Sequence, residues 1–325
     1  MNRQKGVALI IVLLVVAIVT VLATEMGGRL QLQMRRAQNI TDNNQAYWYA
    51  MGAEEFARKS ITTLIAESNG VVSLSQPWAT NEFSFPVTGG SIEAKLVDMQ
   101  SCFNMNALVD ATRSAGNYTA ADAFKVLLNK VQADIPELNI DIMTDSLKDW
   151  LDDDDDLTGY YGAEDAEYES RLHPYLAANS LMAHKSELRL VNGAESVWIN
   201  DVMPLVCAIP AEAALKINVN TIDEETLPVL QAALSDQLSD EDASSILSTR
   251  PEKGYEDIND FFNVAEVGAL NLTAPHKLWF DITTHYFILH TNTRYNSARF
   301  AMSSVLKIDQ NNQVKVIRRE FGGLF

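Results

Sequence analysis

An apolar run from residue 7 to residue 23, broken only by Thr20, constrains this chain more than any other feature. At about 1.5 Å per residue, and with Thr24 and Met26 extending it, the run matches a hydrocarbon core about 30 Å thick. Arg3 and Lys5 precede it, which directs the N-terminus to the cytoplasmic side. Arg29, Arg35 and Arg36 follow closely and pull the other way, but a large ectodomain is translocated largely regardless of such charges. A removable signal peptide needs a shorter apolar core followed by small residues at A-x-A spacing, and Val21-Leu22-Ala23-Thr24-Glu25 is a poor match. Residues 7–26 are therefore expected to span a membrane once, with the rest of the chain on the far side.

The helix is expected to continue beyond the membrane. From residue 29 to residue 66 there is no proline and Gly52 is the single glycine. Ala46, Ala50, Ala53, Ala57, Ile61 and Leu64 recur at spacings of three and four, which puts them on one helical face. That face is small and apolar, suited to packing on a globular unit.

The chain has 325 residues, 47% of them hydrophobic and 21% charged, so most of it is expected to fold as ordinary globular protein with length for two domains. Its formal net charge of -18 repels phosphate backbones and excludes a nucleic-acid partner, while remaining compatible with cation binding. Cys102 and Cys207 are the two cysteines. An exported location permits their oxidation, and a Cys102–Cys207 disulfide is expected.

The order of patterns predicts an α+β fold in which a mainly helical segment interrupts a sheet. Residues 82–108 read as strands, with Gly89-Gly90 at a turn. Residues 280–291, 300–308 and 314–321 are rich in β-branched and aromatic residues, and Asn311-Asn312 marks a hairpin turn. Between these blocks, residues 120–131, 142–151, 224–234 and 240–249 read as helices. The two strand blocks are expected to share one antiparallel sheet.

Residues 152–156 are five consecutive aspartates. Such a run repels itself, and its ordinary fate is a solvated loop. Glu164, Asp165 and Glu167 follow it, with Gly159 and Gly162 allowing the backbone to turn. Hard oxygens clustered in a loop suit calcium, which takes about 6–8 of them. The segment is not an EF-hand. Asp152, Asp154 and Asp156 fit the first, third and fifth positions, but Leu157 stands where glycine is needed and Ala163 where the closing glutamate belongs.

Residues 215–262 resemble a helix-hairpin-helix module. Its hairpin, Leu238-Ser239-Asp240-Glu241-Asp242, lacks glycine and is acidic, so the expected role is packing instead of phosphate binding. The five histidines show no H-E-x-x-H spacing and no G-x-S-x-G occurs, which leaves no catalytic motif.

A basic leader ending in Gly6, followed by an apolar helix that turns amphipathic, resembles a type IV prepilin-like N-terminus. The remainder is similar to the minor pseudopilin K family of bacterial type II secretion. The stretches that carry this likeness are Ser101-Cys102-Phe103-Asn104-Met105-Asn106-Ala107-Leu108, Asp149-Trp150-Leu151-Asp152, Gly162-Ala163-Glu164-Asp165, Glu187-Leu188-Arg189-Leu190-Val191 and Ile217-Asn218-Val219-Asn220-Thr221. The resemblance implies a pilin-like α+β domain at 27–109 and 276–325, interrupted by a helical insertion at 110–275. It implies a leader of residues 1–6, cut by prepilin peptidase at Gly6–Val7 and methylated on the new terminus.

The chain departs from the general pilin pattern in having Val7 first and Ile11 fifth after the cut, where most members carry phenylalanine or methionine and then glutamate. Loss of that glutamate is what the K type resembles. A carboxylate in lipid needs a neighbouring subunit's amine, and a tip subunit has no subunit beyond it. The resemblance further implies a non-catalytic tip subunit in the inner membrane, with a periplasmic ectodomain, that assists pseudopilus initiation and export. Its implied partners are the I- and J-type minor pseudopilins, bound through the N-terminal helix. Calcium is implied in the acidic segment, with Asp152, Asp154, Glu164 and Asp165 as favoured ligands and Asn179 and Glu187 as further candidates. The reading set against this one is a calcium-dependent periplasmic enzyme anchored by an uncleaved helix.

Overall fold

The computed structural model describes residues 5–79, 83–109, 118–131 and 134–322. The first four residues of the expected leader, residue 82 of the expected first strand and the expected insertion boundary at 110 lie outside them. Helix α1, Lys5–Glu67, is 63 residues long and extends about 95 Å. Residues 7–41 are exposed on all sides. From Asp42 onward one face is buried, through Ala46, Ala50, Ile61 and Ile65. The alanines let the helix lie close to the sheet, and the Thr293 hydroxyl donates to the Ala46 carbonyl at 2.8 Å.

Strands β1 (Phe83–Val87) and β2 (Gly90–Asp98) form a hairpin. Gly89 turns it at a φ of 81°, which other residues adopt with strain. The chain then makes a long excursion. Strand β3 (Phe103–Asn104) and a 3-10 turn at Met105–Val109 lead to α2 (Ala120–Lys130) and α3 (Glu137–Leu151). Short elements follow: α4 (Asp165–Glu169), a 3-10 turn at Lys185–Leu190, α5 (Ile199–Val202), β4 (Val206–Cys207) and β5 (Ile217–Asn218). Next come α6 (Leu227–Leu234), α7 (Asp240–Thr249), α8 (Ile258–Phe262), α9 (Ala265–Ala269), α10 (Ala274–Lys277) and β6 (Phe280–Asp281). The chain ends on β7 (Tyr286–Tyr295), β8 (Ala298–Ile308) and β9 (Val314–Phe321).

The early hairpin and the late strands join in one antiparallel sheet of order β1-β2-β7-β8-β9, as the alternating patterns predict. Alternation along β7 turns Phe287 and Leu289 toward α1, where they pack with Ile61, Ile65, Trp78 and Leu306. A separate core fills the excursion, running from Phe103 through Phe124, Leu147 and Tyr168 to Phe280. The excursion leaves the sheet after Asp98 and rejoins it at Tyr286, against the expected boundaries of 109 and 276.

Element ends differ from the sequence expectation for identifiable reasons. Of the expected strand block, residues 99–102 and 105–108 are not strand, and Asn104 and Asn106 bind distant backbone through their side chains. Asn104 donates to the Glu212 and Ala214 carbonyls, and Asn106 to those of Met182 and Ile209. Helix α3 begins five residues before the expected Ile142, opened by Pro136, whose φ of -58° is already helical. Exposed Leu138 hides that start, since the apolar face begins only at Ile140. Helix α6 begins at Leu227 instead of Glu224, because Asp223 and Thr226 close a local turn through reciprocal side-chain bonds. The expected strand 280–291 breaks in two. Its first piece, β6, pairs in parallel with β5 instead of joining the sheet.

Candidate metal centre

The apolar stripe of α3 includes Met143, Leu147 and Trp150, and it also includes one acid, Asp149, which is fully buried. Asp152 closes the helix, its amide donating to the Lys148 carbonyl. The aspartate run then leaves the helix exposed, and the loop folds back. The Thr158 amide donates to Asp149 Oδ1 at 2.9 Å, the Gly162 amide to the Thr158 carbonyl at 3.1 Å and the Ser146 hydroxyl to the Tyr161 carbonyl at 3.1 Å. Gly162 is required at this approach, because a Cβ there would run into the Asp149 carboxylate. The return delivers Glu164, at the start of α4, to the end of α3. One carboxylate oxygen each from Asp149, Asp152 and Glu164 lies within 4.8 Å of the other two.

These oxygens are poorly satisfied. Asp149 Oδ2, Asp152 Oδ1 and both Glu164 carboxylate oxygens are buried without a hydrogen-bond donor. Burial, and then the charges of Asp149 and Asp152, push the Glu164 pKa up to about 7. Burial, and then Asp149 and Asp154, push Asp152 up to about 6. Asp149 is also raised, by burial first, against the hydrogen bonds from Thr158. Buried acceptors without donors cost about 1–3 kcal/mol each, and more when charged. A divalent cation here would give these oxygens a partner and offset their mutual repulsion. The donor set is all hard oxygen, which fits calcium.

Of the residues expected to ligate, the fold brings Asp152 and Glu164 together. Asn179 lies against the aspartate run, its Nδ2 donating to Asp155 Oδ1 at 3.2 Å, and its Oδ1 is another buried oxygen without a donor. Asp154 is exposed and accepts from the Asp156 amide within the loop. Asp165 accepts from the Ala177 amide at 2.9 Å. Glu187 accepts from the Ala183 and His184 amides and caps its own 3-10 turn. Asp149 joins the cluster from outside the expected ligand set. Its signal was an acid on the apolar face of a helix, one turn before Asp152. Cys102 and Cys207 are bonded, next to the β3–β4 pairing that closes the base of the excursion. Val7 lies exposed in α1.

Two models of the family described as type II secretion system (T2SS), protein K, match residues 101–211 and 217–283. A type II secretion system protein K of Aeromonas hydrophila is 33% identical, covering 99% of this chain and 98% of the relative. That of Klebsiella pneumoniae is 31% identical over 99% of this chain and 97% of its own. Among solved structures, the fold is similar to a chain in the GspK-GspI-GspJ complex of the enterotoxigenic Escherichia coli type 2 secretion system. The TM-score is 0.78 at 29% identity, covering 89% of this chain and 100% of that one. The three clustered carboxylates fall within the first matched segment.

Proposed function

This chain belongs to the type II secretion system protein K family, as a non-catalytic minor pseudopilin, and on that footing we propose that it forms the tip of the pseudopilus. There it associates with I- and J-type minor pseudopilins, as the similar solved chain does in its complex, and assists pseudopilus initiation and protein export. The observation that carries this reading is the division of α1. Residues 7–41 stand clear of the fold, while the following residues are built into the sheet's core. An apolar helix of this kind serves both as an inner-membrane anchor and as the face on which neighbouring subunits pack. The N-terminus lies in the cytoplasm and the ectodomain in the periplasm, and prepilin peptidase cuts at Gly6–Val7. The test is co-purification of the full chain with I- and J-type subunits from membranes. A ternary complex is expected, lost when residues 7–41 are replaced by an unrelated membrane helix. A chain that purifies alone at micromolar concentrations of all three overturns the reading.

Calcium completes the proposal. Asp149, Asp152 and Glu164 are the residues that would hold it, with Asn179 beside them, and its charge would offset their repulsion. Melting of the detergent-solubilised full chain is expected to rise with calcium and fall with chelator. Glu164→Gln is expected to remove that response, whereas Glu187→Gln, which lies on a cap, retains it. Melting that ignores both calcium and chelator overturns the assignment.

A further inference from the structure

Asp98, the last residue of β2, is a buried carboxylate whose hydrogen-bond donors are all neutral. Its Oδ2 accepts from the Thr221 hydroxyl at 2.6 Å and the Thr284 hydroxyl at 2.7 Å, and its Oδ1 from the Gln100 amide at 2.7 Å. Three parts of the chain thus meet on one side chain: the end of β2, the turn after β5, and the link between β6 and β7. Asn218 closes the same seam. Its Nδ2 donates to the Thr284 hydroxyl at 2.8 Å and the Val72 carbonyl at 3.1 Å, and its amide to the Gln100 carbonyl at 2.9 Å.

Among the described residues, the titratable groups on the surrounding elements make no hydrogen bond or ion pair to Asp98. Lys216 approaches Asp281 at 3.9 Å, and Asp281 accepts from the Ile282 and Thr283 amides. The Tyr286 hydroxyl donates to Glu212. On β2 itself, Lys95 stands opposite His290. The His285 side chain is exposed, and its amide donates to Gln100 Oε1.

The network accommodates two protonation states. With Asp98 ionised, Thr221 and Thr284 both donate to it. Thr221 Oγ1 also lies 3.1 Å from the Asn218 carbonyl. When Asp98 carries a proton on Oδ2, that proton is donated to Thr221 Oγ1, the threonine hydrogen turns to the Asn218 carbonyl, and no donor is stranded.

We propose that Asp98 is a proton-operated pin between the sheet and the turn at 218–221, taking a proton from solvent as the pH falls and thereby tightening the seam. Burial outweighs the hydrogen bonds from Thr221, Thr284 and Gln100 and pushes its pKa from 3.8 up to about 6. The folded state therefore keeps a proton that the unfolded chain has lost. The resulting stability is complete below the unfolded value and disappears as the pH rises through about 6.

The test compares urea unfolding of the detergent-solubilised full chain with that of Asp98→Asn, a neutral side chain of the same shape. From about pH 7 to about pH 5, the wild-type unfolding constant relative to the variant is expected to fall about tenfold. A ratio that stays constant overturns the proposal. If Asp98→Asn does not fold, amide exchange in the wild-type chain decides. Protection of residues 97–101 and 217–221, corrected for intrinsic exchange, is expected to rise about tenfold over that range. Unchanged protection overturns the proposal.

Discussion

Glu54 of α1 and Arg319 of β9 meet in a two-pronged ion pair, with Arg319 Nε and Nη2 each donating to a Glu54 carboxylate oxygen at 2.8 Å. Glu54 is buried between helix and sheet, and the Ser304 hydroxyl donates to the same carboxylate at 2.6 Å. The pair ties the long N-terminal helix α1 to β9, far away in sequence.

Removing the arginine leaves a buried carboxylate with one hydroxyl donor. Arg319→Ala is expected to lower stability by about 3 kcal/mol, read from the urea midpoint of the full chain. Glu54→Gln is expected to lose less, because a neutral amide still accepts from Ser304. Burial raises the Glu54 pKa, but the hydrogen bonds from Arg319 and Ser304, then the charges of Arg319 and Arg58, outweigh it and hold it below 4.5. This contribution is therefore present above about pH 4.5 and is lost as the pH falls through the lower folded value. A loss of stability in Arg319→Ala that persists unchanged under acid, below that value, contradicts this assignment.

The Cys102–Cys207 bond spans a sequence separation of 105. Closing a loop of that size stabilises by about 4–5 kcal/mol in the chain-entropy account. Reduction is expected to lower the urea midpoint accordingly, and the unreduced, denatured chain should show no reactive thiol. Two reactive thiols before reduction refute the bridge.

The acidic cluster makes the cation-free chain sensitive to pH in the direction opposite to Glu54. Glu164 and Asp152 have folded pKa values raised to about 7 and about 6, so the stability they contribute is lost as the pH rises through that window. Calcium held by these oxygens, as proposed, would require those protons to leave, so apparent affinity is expected to rise with pH across the same range. Calorimetry at about pH 5.5 and about pH 7.5 checks this, with Asp149→Asn expected to weaken binding at both. Equal affinity at the two values argues against Glu164 and Asp152 as ligands.

Mass spectrometry of protein extracted from membranes is expected to show Val7 as the first residue, carrying a methyl group. An intact Met1 terminus, or a terminus near Ala23, contradicts processing at Gly6–Val7.

The long apolar start of α1, its small-residue face, the β-branched and aromatic runs of β8 and β9 and the hairpin at Asn312 are legible in the sequence. Each of these is a local pattern, set by the burial of one face of one element, and hydrophobic periodicity records it directly. The polar pairings are another matter. Asp98 and Glu54 look in sequence like any surface acid, and Asp149 differs from one only in lying on the apolar face of its helix. The fold alone brings Glu164 to Asp149, Thr221 and Thr284 to Asp98, and Arg319 to Glu54. The parallel pairing of β5 with β6 belongs with them, since nothing in residues 280–291 marks where that strand breaks. A buried polar group must find its partner wherever the chain happens to supply one, and which segments meet is a property of the packed whole.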